Sequence, residues 1–303
     1  MRSGLPRSTR SRIVALAGAV AATALLLTGC AGGANAPAAG GNPPAPAPAA
    51  APAPTAITSV SPASGSVSGA NTVALAGTSL ANVKAVTIGG QAATISSTGS
   101  DKLVVVVPQA AMFSPAKVDV VASGADGKPL ATVAGGYQYQ VVTPVDKQLN
   151  YAMQHWNNYN TGEYGDLNPV GGDCANFVSQ TLIARGWIQN DDWYNHNAAA
   201  SWSPSWGYVP AMDSYFSSTP SLGLHEYPLD QRDKIKVGDI VMFDWNNNNS
   251  LDHVQIVSQV LHVNGKIVIK MVGHNTDSDY RDLDTAITVD HPGAGGHFWS
   301  FSA

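Results

Sequence analysis

The spacing of apolar residues predicts helices followed by strands in the second half of the chain. Residues 144–159 have a helical pattern, and a second helix is predicted to start at Cys174. Apolar runs typical of strands come next, at residues 239–244, 253–263 and 266–273. Helices first and an antiparallel sheet afterwards is the order of an α+β domain, which we predict for residues 143–303.

Residues 55–142 have a different pattern, in which short β-rich runs alternate with turn residues. The runs lie at residues 72–75, 83–88, 103–107, 118–121 and 137–141. None of them sustains a helical period, so we predict a small all-β sandwich of antiparallel strands. The segment shows no cluster of His, Cys or carboxylate residues, and we expect a spacer in preference to a specific ligand-binding module.

Two segments precede these domains. Four arginines, an apolar run over residues 13–27 and the sequence Leu27-Thr28-Gly29-Cys30 indicate an export signal at residues 1–30. Its apolar run is too short for a membrane-spanning helix. Residues 31–54 consist almost wholly of Ala, Pro, Gly and Asn, a composition that buries no core, and we predict an extended linker there.

Charge and composition exclude other classes of function. The formal net charge is −5 and basic residues are not clustered, which argues against a nucleic-acid partner. The eight histidines show no spacing typical of a metal site, and we expect neither a metal nor a cofactor.

Cys174 is the main candidate for chemistry. The chain has two cysteines, and because Cys30 ends the export signal we expect no disulfide. Two glycines supply a turn, Asp173 is a good N-cap, and Cys174 takes the first helical position. Free N–H groups and the positive end of the helix dipole favour a thiolate there. The alternative is a buried structural cysteine.

The helix that begins at Cys174 has a clear apolar period and a clear end. Five residues recur on one predicted buried face: Cys174, Phe177, Val178, Thr181 and Leu182. Arg185 falls in the last turn, and Gly186 is the predicted C-terminal stop.

A nucleophilic thiol needs a base, and the base needs an orienting partner. His253 opens an apolar strand and is the candidate base, with a hydrogen-bonded core histidine as the alternative. Asn264-Gly265 predicts a two-residue hairpin loop. With that loop, His274 shares a face with His253 and Asn275 points to the other face. A bulge or a longer loop would reverse this assignment and favour Asn275.

Three parts of the chain resemble known families. Leu27-Thr28-Gly29-Cys30 resembles the bacterial lipobox, which implies that Cys30 carries lipid and becomes the new N-terminus. The segment 55–142 resembles the IPT/TIG immunoglobulin-like family, through residues 57–65, 73–78, 86–90 and 136–139. That family is usually a spacer or a binding module.

The second domain resembles the bacterial "putative amidase" family, which is similar to the NlpC/P60 and CHAP groups of the papain-like fold. The resemblance rests on residues 171–180, 238–241, 252–257 and 273–277. It implies a nucleophile at Cys174, a base at His253 and an orienting residue at His274 or Asn275. Asp173 matches the Asp-Cys pair of these groups.

Together the patterns and the resemblances imply a lipid-anchored enzyme of the cell envelope, with an immunoglobulin-like spacer and a papain-like cysteine amidase or peptidase domain. We expect it to hydrolyse amide bonds in peptidoglycan peptides, with the backbone N–H of Cys174 as an oxyanion donor. The partners expected are a peptide substrate and the membrane that holds the lipid. Two alternatives stay open, a non-catalytic envelope adhesin and a thiol acyltransferase.

Overall fold

The structure is a computed structural model, and it describes residues 53–302. The predicted export signal, and all but the end of the predicted linker, lie outside the described residues. The described residues belong to one compact unit. No helix within them is both long and apolar enough to cross a membrane.

Within the described residues, eight strands form the first domain. They are β1 (Ala56–Ser61), β2 (Ser64–Ser66), β3 (Thr72–Thr78), β4 (Ala85–Ile88), β5 (Gln91–Thr98), β6 (Lys102–Val106), β7 (Lys117–Ser123) and β8 (Pro129–Gln140). Short 3₁₀ helices lie at Leu80–Asn82 and Ala111–Phe113. The order of the strands is β1-β3-β6-β5-β4-β7-β8-β2, and β5 pairs with both β4 and β6. The β2–β8 pair is parallel.

The prediction of a β-rich first domain is confirmed, but the sequence pattern missed three of its strands. The five predicted runs coincide with β3, β4, β6, β7 and β8. The strands β1 and β5 leave most of their side chains exposed or half-buried, so they lack the apolar signal that marks a strand. The strand β2 is three residues long, too short to show a period.

The second domain contains helices and a second sheet. Its helices are α1 (Pro144–His155), α2 (Thr161–Tyr164), α3 (Cys174–Arg185), α4 (Pro204–Gly207), α5 (Val209–Ser218) and α6 (Leu283–Thr285), with 3₁₀ helices at Asn168–Val170, Pro220–Leu222 and Arg232–Lys234 and a π-helix at Ala286–Asp290. Its strands are β9 (Asn195–His196), β10 (Ser201–Trp202), β11 (Leu224–Pro228), β12 (Ile240–Asp244), β13 (His253–Val263), β14 (Lys266–Gly273), β15 (Ser278–Asp282) and β16 (Gly295–Phe301). The mixed composition predicted for this domain is confirmed.

The main sheet of the second domain is antiparallel, in the order β11-β16-β12-β13-β14-β15. One face packs on α1 and α3 and carries Met242, Val254 and Ile256; we call it the helix face. The opposite face carries Phe243 and Met271 in a separate apolar cluster; we call it the far face. Successive residues of a strand alternate between these two faces.

The hairpin of β13 and β14 confirms the predicted loop but not the predicted register at its far end. Val263 pairs with Lys266 across Asn264 and Gly265. The register then shifts by one residue between Val257 and Gln259, which is a β-bulge at Ser258. Because a one-residue shift moves every later side chain to the other face, the prediction that His274 shares a face with His253 was wrong.

The two domains are joined through a buried carboxylate at the start of α1. Asp146 is fully buried, and its side chain accepts hydrogen bonds from Ser66 Oγ at 2.5 Å and from Ser68 Oγ at 2.6 Å. It also accepts from the backbone N–H of Val142 and Thr143. Burial raises the pKa of Asp146, but these hydrogen bonds together hold it below its ordinary value. The first domain is therefore docked on the second through specific polar contacts.

Candidate active site

Helix α3 begins at Cys174, as predicted, and ends where the sequence indicated. Gly186 has φ +115°, and its N–H bonds to the carbonyl of Ile183. The helix is not amphipathic, however, because all nine residues of Cys174–Leu182 are buried. The prediction of a single buried face was too narrow, since α3 is enclosed by α1, α4 and the sheet.

The N-terminus of α3 is capped from another element. Asp173 occupies the N-cap position but makes no capping bond with its side chain, so that part of the prediction was wrong. Instead, Asn275 Oδ1 accepts from the backbone N–H of Asp173 at 2.5 Å and of Cys174 at 2.8 Å. Asn275 adopts φ +63°, a conformation that asparagine tolerates better than most residues, and its Nδ2 donates to Asn168 Oδ1. The Cys174 N–H that we expected to act as an oxyanion donor is therefore occupied.

The Cys174 thiol faces a cleft but is itself largely buried, with 7% of the residue exposed. Burial raises the pKa of the thiol to about 11, and the nearby N–H groups of Val254 and Ala175 lower it by less. The expected preference for thiolate is thus reversed, because loss of hydration outweighs the helix end. The resting side chain is a thiol at neutral pH.

The cleft above Cys174 has a volume of about 330 Å³ and is formed by loops around α3. Its lining comes from Val170, Gly171, Gly172, Cys174, Trp202, Gly207, Tyr208, Val209, Pro210, Ser250, Leu251 and Asp252. The aromatic segment after α3 contributes both to the cleft wall and to the hydrophobic core. Trp202 and Tyr208 line the cleft, whereas Trp193 and Trp206 are fully buried. Sequence reasoning did not single out Asp252, which brings a carboxylate to the rim.

His274 lies beside the first turn of α3 and is completely buried. Its ring is stacked between Tyr159 and Phe177, with ring centroids 3.6 Å and 4.1 Å away. Nδ1 lies 2.7 Å from Asp173 Oδ2, and Nε2 lies 2.8 Å from the carbonyl oxygen of His155. A carbonyl oxygen only accepts, so Nε2 carries a proton. A second proton must then lie between Nδ1 and the carboxylate, whichever of the two groups holds it.

His253 lies on the far face, away from Cys174. It pairs with Phe243 across β12 and β13, and its ring is stacked 5.5 Å from Trp245. Its Nε2 is buried, and no residue within 53–302 gives it a hydrogen-bond partner. Burial lowers the pKa of His253 to about 3, with the charges of Arg281 and His291 adding to the shift, so the ring is neutral.

The structure therefore brings together some, but not all, of the predicted site residues. Cys174, Asp173, His274 and Asn275 meet at the N-terminus of α3, whereas His253 faces the other side of the sheet. The sequence did not indicate that Asp173 would pair with His274, because the two residues are joined only when α3 packs against the end of β14. Among the described residues, no three His, Cys, Asp or Glu side chains are grouped as a metal site requires.

Two family models match the chain. Residues 144–299 match the family described as "Putative amidase domain", and residues 54–141 match the IPT/TIG domain. The first match covers more than half of the chain, so the protein belongs to the putative amidase domain family.

The individual relatives and solved structures match only part of the chain. The uncharacterized protein YhbB of Bacillus subtilis (strain 168) is 27% identical over 115 residues, which is 36% of this chain and 35% of that protein. The chain thus spans about a third of the length of this curated relative. Auxiliary nutrient binding proteins of Bacteroides thetaiotaomicron VPI-5482 and Bacteroides ovatus ATCC 8483 align over 29% and 30% of the chain, and over 21% and 22% of their own, at 23% and 22% identity. Their TM-scores are 0.23 and 0.22, too low to carry an argument.

Proposed function

We propose that the protein is a cysteine-dependent amidase or peptidase of the bacterial cell envelope. The observation that carries the proposal is the position of Cys174, at the start of a buried helix and on the floor of a cleft, in a chain of the putative amidase domain family. A helix-start cysteine packed on an antiparallel sheet also supports a papain-like fold related to the NlpC/P60 group.

The reaction is an acyl transfer to sulfur followed by hydrolysis. The Cys174 sulfur attacks the carbonyl carbon of an amide, the carbon–nitrogen bond breaks, and the amine leaves with a proton. Water then cleaves the thioester, which returns the thiol and releases a carboxylic acid. Because the resting thiol is protonated, a base must take its proton as the carbon–sulfur bond forms.

We assign proton transfer to His274. Its ring lies on the helix face of the sheet, packed against Phe177 of α3, and is held by Asp173. In the resting arrangement both ring nitrogens of His274 face oxygen atoms. The pair formed by Asp173 and His274 therefore already holds the proton that a leaving amine needs. To accept the thiol proton, the pair must first lose one, and the ring must release the His155 carbonyl.

The family resemblance implies His253 as the base, a role that would require its ring to leave the far face. Comparing His274→Ala with His253→Ala decides between them. We expect the His274 variant to lose most turnover, whereas the His253 variant keeps a folded, active site. A greater loss of kcat at His253, with both proteins folded by circular dichroism, would contradict our assignment.

The cellular setting is also part of the proposal. Leu27-Thr28-Gly29-Cys30 supports a lipid anchor at Cys30, and the linker over residues 31–54 supports a domain held away from the membrane. An enzyme placed there would meet the peptide stems of peptidoglycan, which we propose as the substrate.

One experiment tests the function as a whole. Purified protein is incubated with peptidoglycan fragments, with and without an added amine, and products are identified by mass spectrometry. A hydrolase releases new carboxylic acids that Cys174→Ala and Cys174→Ser do not release. Products joined to the added amine would identify an acyltransferase, and binding without any Cys174-dependent product would identify an adhesin. Either of these results overturns the hydrolase.

A further inference from the structure

A short hairpin next to the thiol cleft separates it from a second cavity. His196 of β9 pairs with Ser201 of β10, and both line a cavity of about 450 Å³. The next residue, Trp202, lines the thiol cleft. Since neighbouring residues of a strand point to opposite sides, the hairpin is a thin wall with the thiol cleft on one side and this second cavity on the other.

The second cavity, which we call the polar pocket, is lined by Gln189, Asn190, Asp191, Tyr194, His196 and Ser201. The rings of Tyr194 and His196 are stacked with centroids 4.7 Å apart, and they form its aromatic surface. In residues 53–302, no side-chain hydrogen bond engages the Asp191 carboxylate, the Tyr194 hydroxyl or the His196 ring, and Asp191 and His196 are exposed at the surface. The pocket thus presents donors and acceptors that are free for a ligand.

The polar pocket is held in shape by the core beneath it. Trp193 is fully buried between pocket residues, and its Nε1 donates to Ser179 Oγ of α3 at 3.1 Å. Asn195 Nδ2 donates to the Tyr164 carbonyl at 2.8 Å and lies 3.3 Å from Asn176 Oδ1. The backbone that carries the polar pocket is therefore anchored to the core around the helix of Cys174, which lowers the entropy cost of binding a ligand there.

We infer that the polar pocket binds a saccharide built of N-acetylated sugars. The apolar face of a sugar ring stacks on an aromatic surface, while its hydroxyl and acetamido groups need mixed donors and acceptors. The lining offers both and contains a carboxylate but no Lys or Arg, so it is unsuited to phosphate or other anions. This inference rests on the proposed function in one respect: a glycan in the polar pocket would place its attached peptide across the hairpin, in the thiol cleft.

The test measures binding separately from catalysis. The Cys174→Ala protein is titrated by calorimetry with tetra-N-acetylchitotetraose, with a wall disaccharide that lacks peptide, and with the same disaccharide bearing its peptide. We expect all three to bind, and the peptide-bearing form to bind most tightly because it fills both cavities. If chitotetraose binds and the wall disaccharide does not, the natural source of the sugar is not peptidoglycan.

Two tyrosines provide matched variants. Tyr194→Ala removes the stacking surface and should weaken chitotetraose binding about tenfold or more, whereas Tyr194→Trp should retain it. Tyr208→Ala, on the thiol cleft, should leave chitotetraose binding unchanged. The inference is overturned if chitotetraose fails to bind at millimolar concentration, or if Tyr194→Ala binds it as well as the parent protein. Wild-type turnover on a peptide amide without sugar tests the proposed function independently.

Discussion

The pairing of Asp173 with His274 leads to a quantitative prediction for the Asp173→Asn variant. Asparagine keeps the size of the side chain, and its oxygen still accepts from the Leu167 N–H at 2.9 Å and from Asn176 Nδ2 at 2.8 Å. Its Nδ2 then donates to His274 Nδ1. The ring keeps its bond to the His155 carbonyl through Nε2, so the variant pair holds one proton fewer than the wild type.

The structure sets the size of the effect. Both residues are almost completely buried, with Asp173 1% and His274 0% exposed, so water does not screen their interaction. A hydrogen bond to a charged group contributes about 1.5–3 kcal/mol and a neutral one about 0.5–1.5 kcal/mol. We therefore expect Asp173→Asn to lower the free energy of unfolding by about 1–2 kcal/mol. Turnover should fall by a factor of about 10²–10⁴, the usual contribution of a positioned acid or base.

Three measurements check this prediction. Urea unfolding gives the change in stability, ¹⁵N chemical shifts of the imidazole report the number of protons on His274, and turnover is measured on a soluble peptide amide. Asp230→Asn is the control, because Asp230 is an exposed carboxylate outside the candidate site. If Asp173→Asn keeps wild-type stability and turnover, the pair does not have the role assigned here.

Four further predictions concern Cys174, Asp146 and Cys30. The rate at which iodoacetamide alkylates Cys174 should rise with pH until about pH 11, because burial raises the pKa of this thiol. A rate that stops rising below pH 9, the pKa of an ordinary cysteine, would contradict this prediction. Asp146→Ala should lower the free energy of unfolding by about 2 kcal/mol, because the several half-buried donors that Asp146 accepts from lose their acceptor, and calorimetry should show the two domains melting separately. Because the folded pKa of Asp146 is lowered, its contribution to stability should be present above about pH 4, the unfolded pKa, and be lost as pH falls through the folded pKa; a pH-independent difference between wild type and Asp146→Asn would refute this. Cys30→Ser should remove the protein from the membrane fraction, and unchanged fractionation with no lipid mass would exclude the anchor.

The sequence by itself determined the features that depend on local chemistry. The start of α3 at Cys174 follows from the Gly-Gly turn before it, and its end follows from Gly186. The loop of Asn264 and Gly265 follows from the positive φ that both positions require, +50° and +77°. These signals act within a few residues, so no knowledge of the fold is needed to interpret them.

The pattern of apolar residues did not predict strands that have little buried surface. The strand β5 has no fully buried side chain, and its place in the sheet is fixed by pairing with β4 and β6 rather than by its own composition. The burial of every residue of Cys174–Leu182 in α3 likewise depends on the helices around it, which the apolar period of a single segment does not report.

Only the tertiary structure decided which residues share the site. A single extra residue at Ser258 shifts the register, so that His253 faces the aromatic cluster of the far face while His274 reaches α3. The charge state of Cys174 was decided in the same way, because its pKa depends on how much water surrounds the thiol. Register and burial are properties of distant segments in contact, and a short stretch of sequence contains neither.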